Sequence, residues 1–133
     1  MLFLDTSALL KRYVEEVGTD LVLRRMDEDR EWAVSAMART EAEISLCRLG
    51  FEPDGRADVW QRVREDWERC HVIPVDPSCL GRAAEIGCRY EVRTLDALHL
   101  AAADRLPQPL VVLTFDRHLA DAARLMDLAV EGA

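Results

Sequence analysis

Four acids in this chain stand where an apolar run ends or a helix begins. Asp5 closes the run "LFL" and opens "TSALLKRY", Asp116 follows "LVVLTF", Glu41 lies in "SAMARTEAEISLCRLG" and Asp96 in "TLDALHLAAAD". Asp is a favoured helix N-cap, which accounts for Asp5 and Asp116 taken one at a time. Glu41 reads as a solvated helix acid whether Ser35 or Thr40 caps its helix. With Thr40 as cap, Glu43 completes a capping box; with Ser35, Glu41 lines up with Met37 and Ser45 at four-residue spacing. Asp96 resists such a reading. Leu95, Ala97, Leu98, Leu100 and Ala101 to Ala103 surround it, so its helix is expected to be mostly buried. An unpaired ionised acid there costs several kcal/mol, of which a helix N-terminus offsets only about 0.3–2. A cation or a hydrogen-bond donor is implied. His99 shares that helix, and with no second His at metal-ligand spacing it reads as a packed or edge histidine whose role stays open.

The chemistry lies in the convergence of these acids. In open α/β sheets, ligands bind outside the carboxyl ends of the strands, where Asp5, Thr114 and Asp116 fall; the helix starts carrying Glu41 and Asp96 can face the same crevice. Asp121, five residues beyond Asp116, points roughly 140° away. Two carboxylates ~4 Å apart repel by about 4 kcal/mol at an effective dielectric of about 20. Three or four together therefore need raised protonation or a bound divalent cation. Oxygen-only ligands select a hard cation such as Mg²⁺, which keeps several waters, and a polarised water held in line with a phosphodiester makes a hydrolytic centre.

Bringing the four together requires strands and helices in alternation. Apolar runs at 2–4, 32–34, 71–75, 109–113 and, more weakly, 128–130 predict five strands, and helical spacing covers 7–16, 19–28, 36–49, 55–69, 78–89, 95–105 and 117–126. This pattern predicts an α/β three-layer sandwich, a parallel sheet with helices on both faces. Gly50 is expected to stop one helix, with Pro53, Asp54 and Gly55 turning the chain, and "LPQP" (106–109) delivers it into the fourth strand.

Length and composition set the outer bounds. A chain of 133 residues, half of them apolar and 32% charged, reads as one globular domain over 1–133. No run approaches the ~20 apolar residues of a membrane span and no secretory signal opens the chain, which predicts a cytoplasmic protein without membrane contact. Cys47, Cys70, Cys79 and Cys88 form no C-x-x-C pair and are read as small buried thiols, with a Cys79–Cys88 pairing left open. The net charge of -8 speaks against a general nucleic-acid binder. Lys11 is the only lysine, so cationic recognition would fall to guanidinium groups, and Lys11, Arg12, Arg39, Arg48, Arg93 and Arg117 flank the acids in sequence. Arg93 and Arg117, nearest Asp96 and Asp116, are the first candidates for contact with a phosphate backbone.

With "LFLDTSALLKRY", "RTEAEIS", "RTLDALHLAAA" and "LVVLTFDRHL" in that order, the chain resembles PIN-domain proteins over essentially its whole length, and in its small size the VapC-type toxins of bacterial toxin–antitoxin pairs. The resemblance implies a five-stranded parallel sheet of order 3-2-1-4-5 and an endoribonuclease dependent on Mg²⁺ or Mn²⁺. It further implies Asp5, Glu41, Asp96 and Asp116 as metal-binding and catalytic acids, with Asp5, Asp96 and Asp116 holding the metal and Ser7 and Thr114 as polar supports. RNA as substrate, a homodimer, and an antitoxin that covers the acidic pocket, often with an Arg, are implied as partners. A bound ion would also reverse the local potential that otherwise repels RNA.

Two other functions share parts of this pattern. A phospho-accepting receiver domain also carries acids at the carboxyl ends of a five-stranded parallel sheet, and Asp76 follows the third strand; but it would need an acidic pair directly after the first strand and a lysine after the last. A non-catalytic module would use the same acids only to dock an Arg-bearing protein, or would bind RNA without cutting it.

Overall fold

Short runs rich in Leu, Val and Ile become the strands β1 (Leu2–Leu4), β2 (Trp32–Ser35), β3 (His71–Ile73), β4 (Val111–Thr114) and β5 (Ala129–Gly132). Between them lie the helices α1 (Thr6–Lys11), α2 (Thr19–Glu28), α3 (Ala38–Arg48), α4 (Ala57–Arg69), α5 (Pro77–Tyr90), α6 (Thr94–Asp104) and α7 (Arg117–Leu125). The computed structural model describes residues 1–51 and 57–133. In it the strands form one sheet of order β3-β2-β1-β4-β5, with every neighbouring pair parallel, as the sequence and its resemblance led us to expect.

The elements differ from expectation mainly at their ends. β3 stops at Ile73, because Pro74 has no N–H to offer the ladder. β4 begins at Val111, two residues beyond Pro109, and α1 ends at Lys11 after only six residues. Gly50 terminates α3 with a left-handed backbone (φ +91°) open to Gly without a steric cost. The turn expected at Pro53, Asp54 and Gly55 lies outside the described residues.

Strand periodicity separates two cores. Phe3, Ala33 and Val112 project toward α5, α6 and α7, while Leu2, Leu4, Trp32, Val34 and Leu113 project toward α1, α2, α3 and α4. α6 is buried continuously from Ala97 to Ala103, with Leu95 left 50% exposed at its start. Arg105, following α6, pairs with Asp76 at the head of α5 at 2.8 Å, so the two helices run antiparallel. Their turn, with Glu91 in a left-handed conformation, therefore lies at the other end, where α6 begins.

The cysteines depart from the reading as buried thiols. Only Cys79 is buried; Cys70 is intermediate, and Cys47 and Cys88 are exposed, all four as free thiols. Cys79 and Cys88 lie nine residues apart on α5, roughly 13 Å along its axis, which is beyond the reach of a disulfide.

α1 carries the first acid and is fixed at both ends. At its C-terminal end, Arg12 donates two hydrogen bonds to Asp66 on α4, at 2.7 and 2.9 Å, and Tyr13 Oη donates a third at 2.8 Å. Asp66 is 5% exposed. Burial, then the charge and hydrogen bond of Asp66, push the Tyr13 hydroxyl far above its usual range, so it stays a donor. Asp66→Ala would leave the guanidinium and the phenol without their acceptor. We expect it to cost roughly 2–3 kcal/mol, below the usual buried-pair range because Arg12 retains some solvent contact. Chemical denaturation of the two proteins at neutral pH measures the difference.

Candidate active site

Asp5 is the first residue past β1, and the strand delivers it to the carboxyl edge of the sheet 3% exposed. Its side chain N-caps α1, accepting from Ala8 N at 3.0 Å, so the local reading of Asp5 as a cap is correct but incomplete. Ser7 Oγ donates to it at 2.7 Å, and Thr114 Oγ1, at the end of the neighbouring β4, donates to Oδ2 at 2.7 Å. Each hydroxyl is in turn fixed from behind: Phe115 N donates to Ser7 Oγ at 2.9 Å and Asp116 N to Thr114 Oγ1 at 3.1 Å. With their lone pairs engaged by the backbone, both hydroxyls turn their protons toward Asp5. Burial raises the Asp5 carboxyl above its usual range, and the bonds from Thr114, Ala8 and Ser7 offset this only in part.

Asp116 follows the end of β4 by two residues and caps α7, accepting from His118 N at 2.8 Å and Leu119 N at 3.1 Å. Asp121 is exposed on α7 beside Arg124, away from the crevice, as its helical phase predicts. Asp96 enters from the first turn of α6. Among the described residues no cation pairs with it and no donor binds it. Its carboxyl lies above the usual range, first because of burial and then because of the negative charge of Asp116, with Asp5 and Glu41 adding to the effect and His99 opposing it. All four sequence-predicted acids thus lie within one electrostatic neighbourhood.

Glu41 stands in the first turn of α3, whose N-cap is Met37 without a side-chain cap. Neither Ser35 nor Thr40 caps: Ser35 is buried as the last residue of β2, and Thr40 lies inside the helix. Glu43 pairs with Arg39 at 2.9 Å rather than completing a capping box. Far from being a free surface acid, Glu41 Oε1 accepts from Thr6 Oγ1 at 2.8 Å and meets His99 Nε2 at 2.7 Å. Burial raises its carboxyl, but the interaction with His99 and the bond from Thr6 outweigh it, leaving Glu41 below the usual range.

Thr6 and His99 are the site residues that sequence reasoning missed. His99 is 3% exposed and sits three residues after Asp96, on the same face of α6; that spacing was its one sequence signal. Thr6 directly follows Asp5. The arginines sort differently from expectation. Arg93 lines a cleft of about 250 Å³ with Asp96, Asp116, Glu91, Val92 and His118, whereas Arg117 lines a separate hollow with Asp121 and Arg124. Arg12 is bound to Asp66, Arg39 to Glu43 and Lys11 to Glu16. The receiver reading loses its basis, because Asp76 is occupied by Cys79 N and by Arg105, which itself lies nine residues, about 13 Å, along α6 from Asp96.

A parallel sheet of this order with acids gathered at its carboxyl edge defines a small α/β protein of nuclease-like architecture. The chain belongs to the PIN-domain family, whose model matches residues 2–125. It is 34% identical over 130 residues to ribonuclease VapC46 of Mycobacterium tuberculosis, covering 97% of this chain and 95% of that protein. It is 33% identical over 135 residues to ribonuclease VapC35 of the same species, covering 98% and 95%. Among solved structures, FitAcB from Neisseria gonorrhoeae matches with a TM-score of 0.75 at 19% identity, covering 98% of this chain and 96% of that one. VapBC2 from Rickettsia felis, bound to a DNA fragment from its promoter, matches with a TM-score of 0.67 at 14% identity over 98% of both chains. A toxin–antitoxin complex from Klebsiella pneumoniae matches with a TM-score of 0.67 at 18% identity over 87% of both. At these identities the structural likeness speaks for the fold.

The repulsion around Asp96 has a consequence for stability. An acid whose carboxyl is raised in the folded state binds more protons there than in the unfolded chain, so stability falls as pH rises through the folded value and is recovered only below the unfolded one. Asp96→Asn removes that repulsion. It should melt a few degrees higher than the parent at pH 7 in metal-free buffer, with the gap closing as pH falls toward the unfolded value of 3.8. Thermal melts across pH measure it; an equal or lower melting temperature for the variant at pH 7 would show that Asp96 carries no net repulsion.

Proposed function

We propose that this chain is a divalent-metal-dependent endoribonuclease, the toxin of a toxin–antitoxin pair, acting at the crevice of Asp5, Glu41, Asp96 and Asp116. The observation that carries the reading is Asp96, a part-buried acid raised first by its burial and then by the charges of Asp116, Asp5 and Glu41, with no cation paired to it among the described residues. Family membership, and close relatives named as VapC ribonucleases, support RNA as the substrate class.

The donor set suits Mg²⁺, with Mn²⁺ as an alternative. All four side chains offer oxygen, and Asp5, after its bonds from Ser7, Ala8 and Thr114, retains lone-pair capacity. Among the described residues no three acids already stand close enough to form a closed cage. That fits an ion held by one or two carboxylates and several waters better than a desolvated all-protein site. In this reading Asp5, Asp96 and Asp116 hold the ion, one or two of them directly and the remainder through its waters. When bound, it supplies positive charge to the phosphoryl group and to the leaving oxygen and makes a nearby water more acidic.

The protein's own residues supply position and proton handling. Thr114 and Ser7 hold Asp5 in one orientation, so little reorganisation is needed when RNA arrives. Glu41, ionised with Oε1 engaged, has Oε2 available to orient a water and take its proton. Arg93, in the cleft with Asp96 and Asp116, is placed to contact the backbone of the RNA; Arg117 lies further out.

The solved neighbour described as a toxin–antitoxin complex supports a protein partner, which in this reading covers the crevice. A partner Arg entering between the acids would replace the charge of the ion. We further propose that the chain works as a homodimer in the cytoplasm; no helix among the described residues is long and apolar enough to cross a membrane.

Purified protein free of any partner, incubated with structured RNA, should cleave it in Mg²⁺ and stop when a chelator is added. Asp96→Asn should keep the fold by circular dichroism and lower the cleavage rate by about 100-fold or more. RNA binding without cleavage at any divalent-ion concentration would favour the non-catalytic module instead.

A further inference from the structure

Among the described residues, His99 is the one buried titratable side chain at the crevice to which the nuclease reading assigns no task. It is 3% exposed, on α6 one turn past Asp96, and its Nε2 lies 2.7 Å from Glu41 Oε1 on α3. Thr6 Oγ1 stands 3.3 Å from the same nitrogen and 2.8 Å from the same oxygen. Because the Thr6 hydroxyl donates its only proton to Glu41, it can meet His99 only as an acceptor. An ionised Glu41 is also acceptor-only. Both neighbours therefore require a hydrogen on Nε2.

The other ring nitrogen points the same way. His99 Nδ1 is buried without a hydrogen-bond partner among the described residues. A proton there would be a buried donor with nothing to receive it, costlier than a bare ring lone pair. Ser35 Oγ, on the strand that α6 covers, is likewise buried without a partner. The ring is thus held by one edge.

We propose that His99 is a positioning residue for Glu41: as the Nε2–H tautomer, and together with Thr6, it fixes Oε1 and leaves Oε2 presented to the crevice. The device ties α3 to α6, so that two of the four acids move as one unit. It rests on the reading of Glu41 as the group that orients water, and it adds the residue through which that orientation is set. A Glu side chain has three rotatable bonds, and two charge-assisted hydrogen bonds to one oxygen restrict them in a way that packing alone does not.

The test uses three variants at His99 with and without Glu41→Gln. His99→Phe fills a similar volume but removes both nitrogens; His99→Gln can place an amide N–H where Nε2 stood; His99→Asn reaches only the Nδ1 position. We expect His99→Phe and His99→Asn to lower kcat for RNA cleavage by about 10–100-fold with KM little changed, and His99→Gln to restore the larger part of the rate. In the Glu41→Gln background the His99 substitutions should cost little more, because the group they position is already gone. Equal rates for His99→Phe and the parent, or an undiminished penalty in the Glu41→Gln background, would overturn the proposal.

A readout independent of cleavage separates this idea from the nuclease reading. Imidazole ¹⁵N resonances of the full chain should show His99 protonated at Nε2, with that resonance shifting in Glu41→Gln. A proton on Nδ1 alone, or a resonance indifferent to Glu41→Gln, would refute the positioning role even if RNA is cut. Absence of cleavage by the parent protein with the expected ¹⁵N signature would refute the nuclease reading and leave the Glu41–His99 link standing.

Discussion

The structure turns on negative charge gathered at one edge of a sheet. Asp5 is nearly inaccessible to water and its carboxyl lies above the usual range; Asp96, Asp116 and Glu41 add charge nearby. Such an arrangement is unfavourable by itself, so the fold must supply the opposing energy. It does so through the two cores flanking β1, in which Leu2, Phe3 and Leu4 are all wholly buried. The strand that carries Asp5 to the crevice is thus also fully enclosed, and the acid cannot leave without disturbing both layers.

The four acids are held by different means, and the difference matters for chemistry. Asp5 and Asp116 are tied to backbone N–H groups at helix starts, where the helix dipole also favours negative charge. Glu41 is held by side chains, Thr6 and His99, from two other elements. Asp96 is held, among the described residues, only by its place on a buried helix. A rigid pair, a braced acid and an unpaired acid together give a site that is preorganised on one side and able to adjust on the other. That combination suits an ion that keeps part of its water shell.

The net charge of -8 is compatible with an RNA substrate because charge is distributed unevenly. Two arginines near the acids in sequence are not free: Arg12 is committed to Asp66 and Arg39 to Glu43. Arg93 shares the cleft of Asp96 and Asp116 without an ion pair among the described residues. Recognition of a polyanion by such a surface depends on local potential at the crevice, where one added divalent ion changes the balance more than any surface arginine.

Much of this was legible in the chain itself. Short apolar runs alternating with helical spacing specified five strands and the α/β class, because the two periodicities, 2 and 3.6, follow from backbone geometry and survive any tertiary context. The same local rules marked Asp5 and Asp116 as strand-end caps and Asp96 as an acid out of place in an apolar helix. What only the folded chain decided were contacts across long separations. Thr6 meets Glu41 across 35 residues, His99 meets Glu41 across 58, and Thr114 meets Asp5 across 109. The commitment of Arg12 to Asp66 and the exposure of Cys47 and Cys88 belong to the same class. A hydrogen bond between side chains leaves no periodic trace in sequence, since it depends on where two independently folded elements come to rest. His99 could therefore be read as a packed histidine until α6 was seen lying against β2 with Glu41 at its edge.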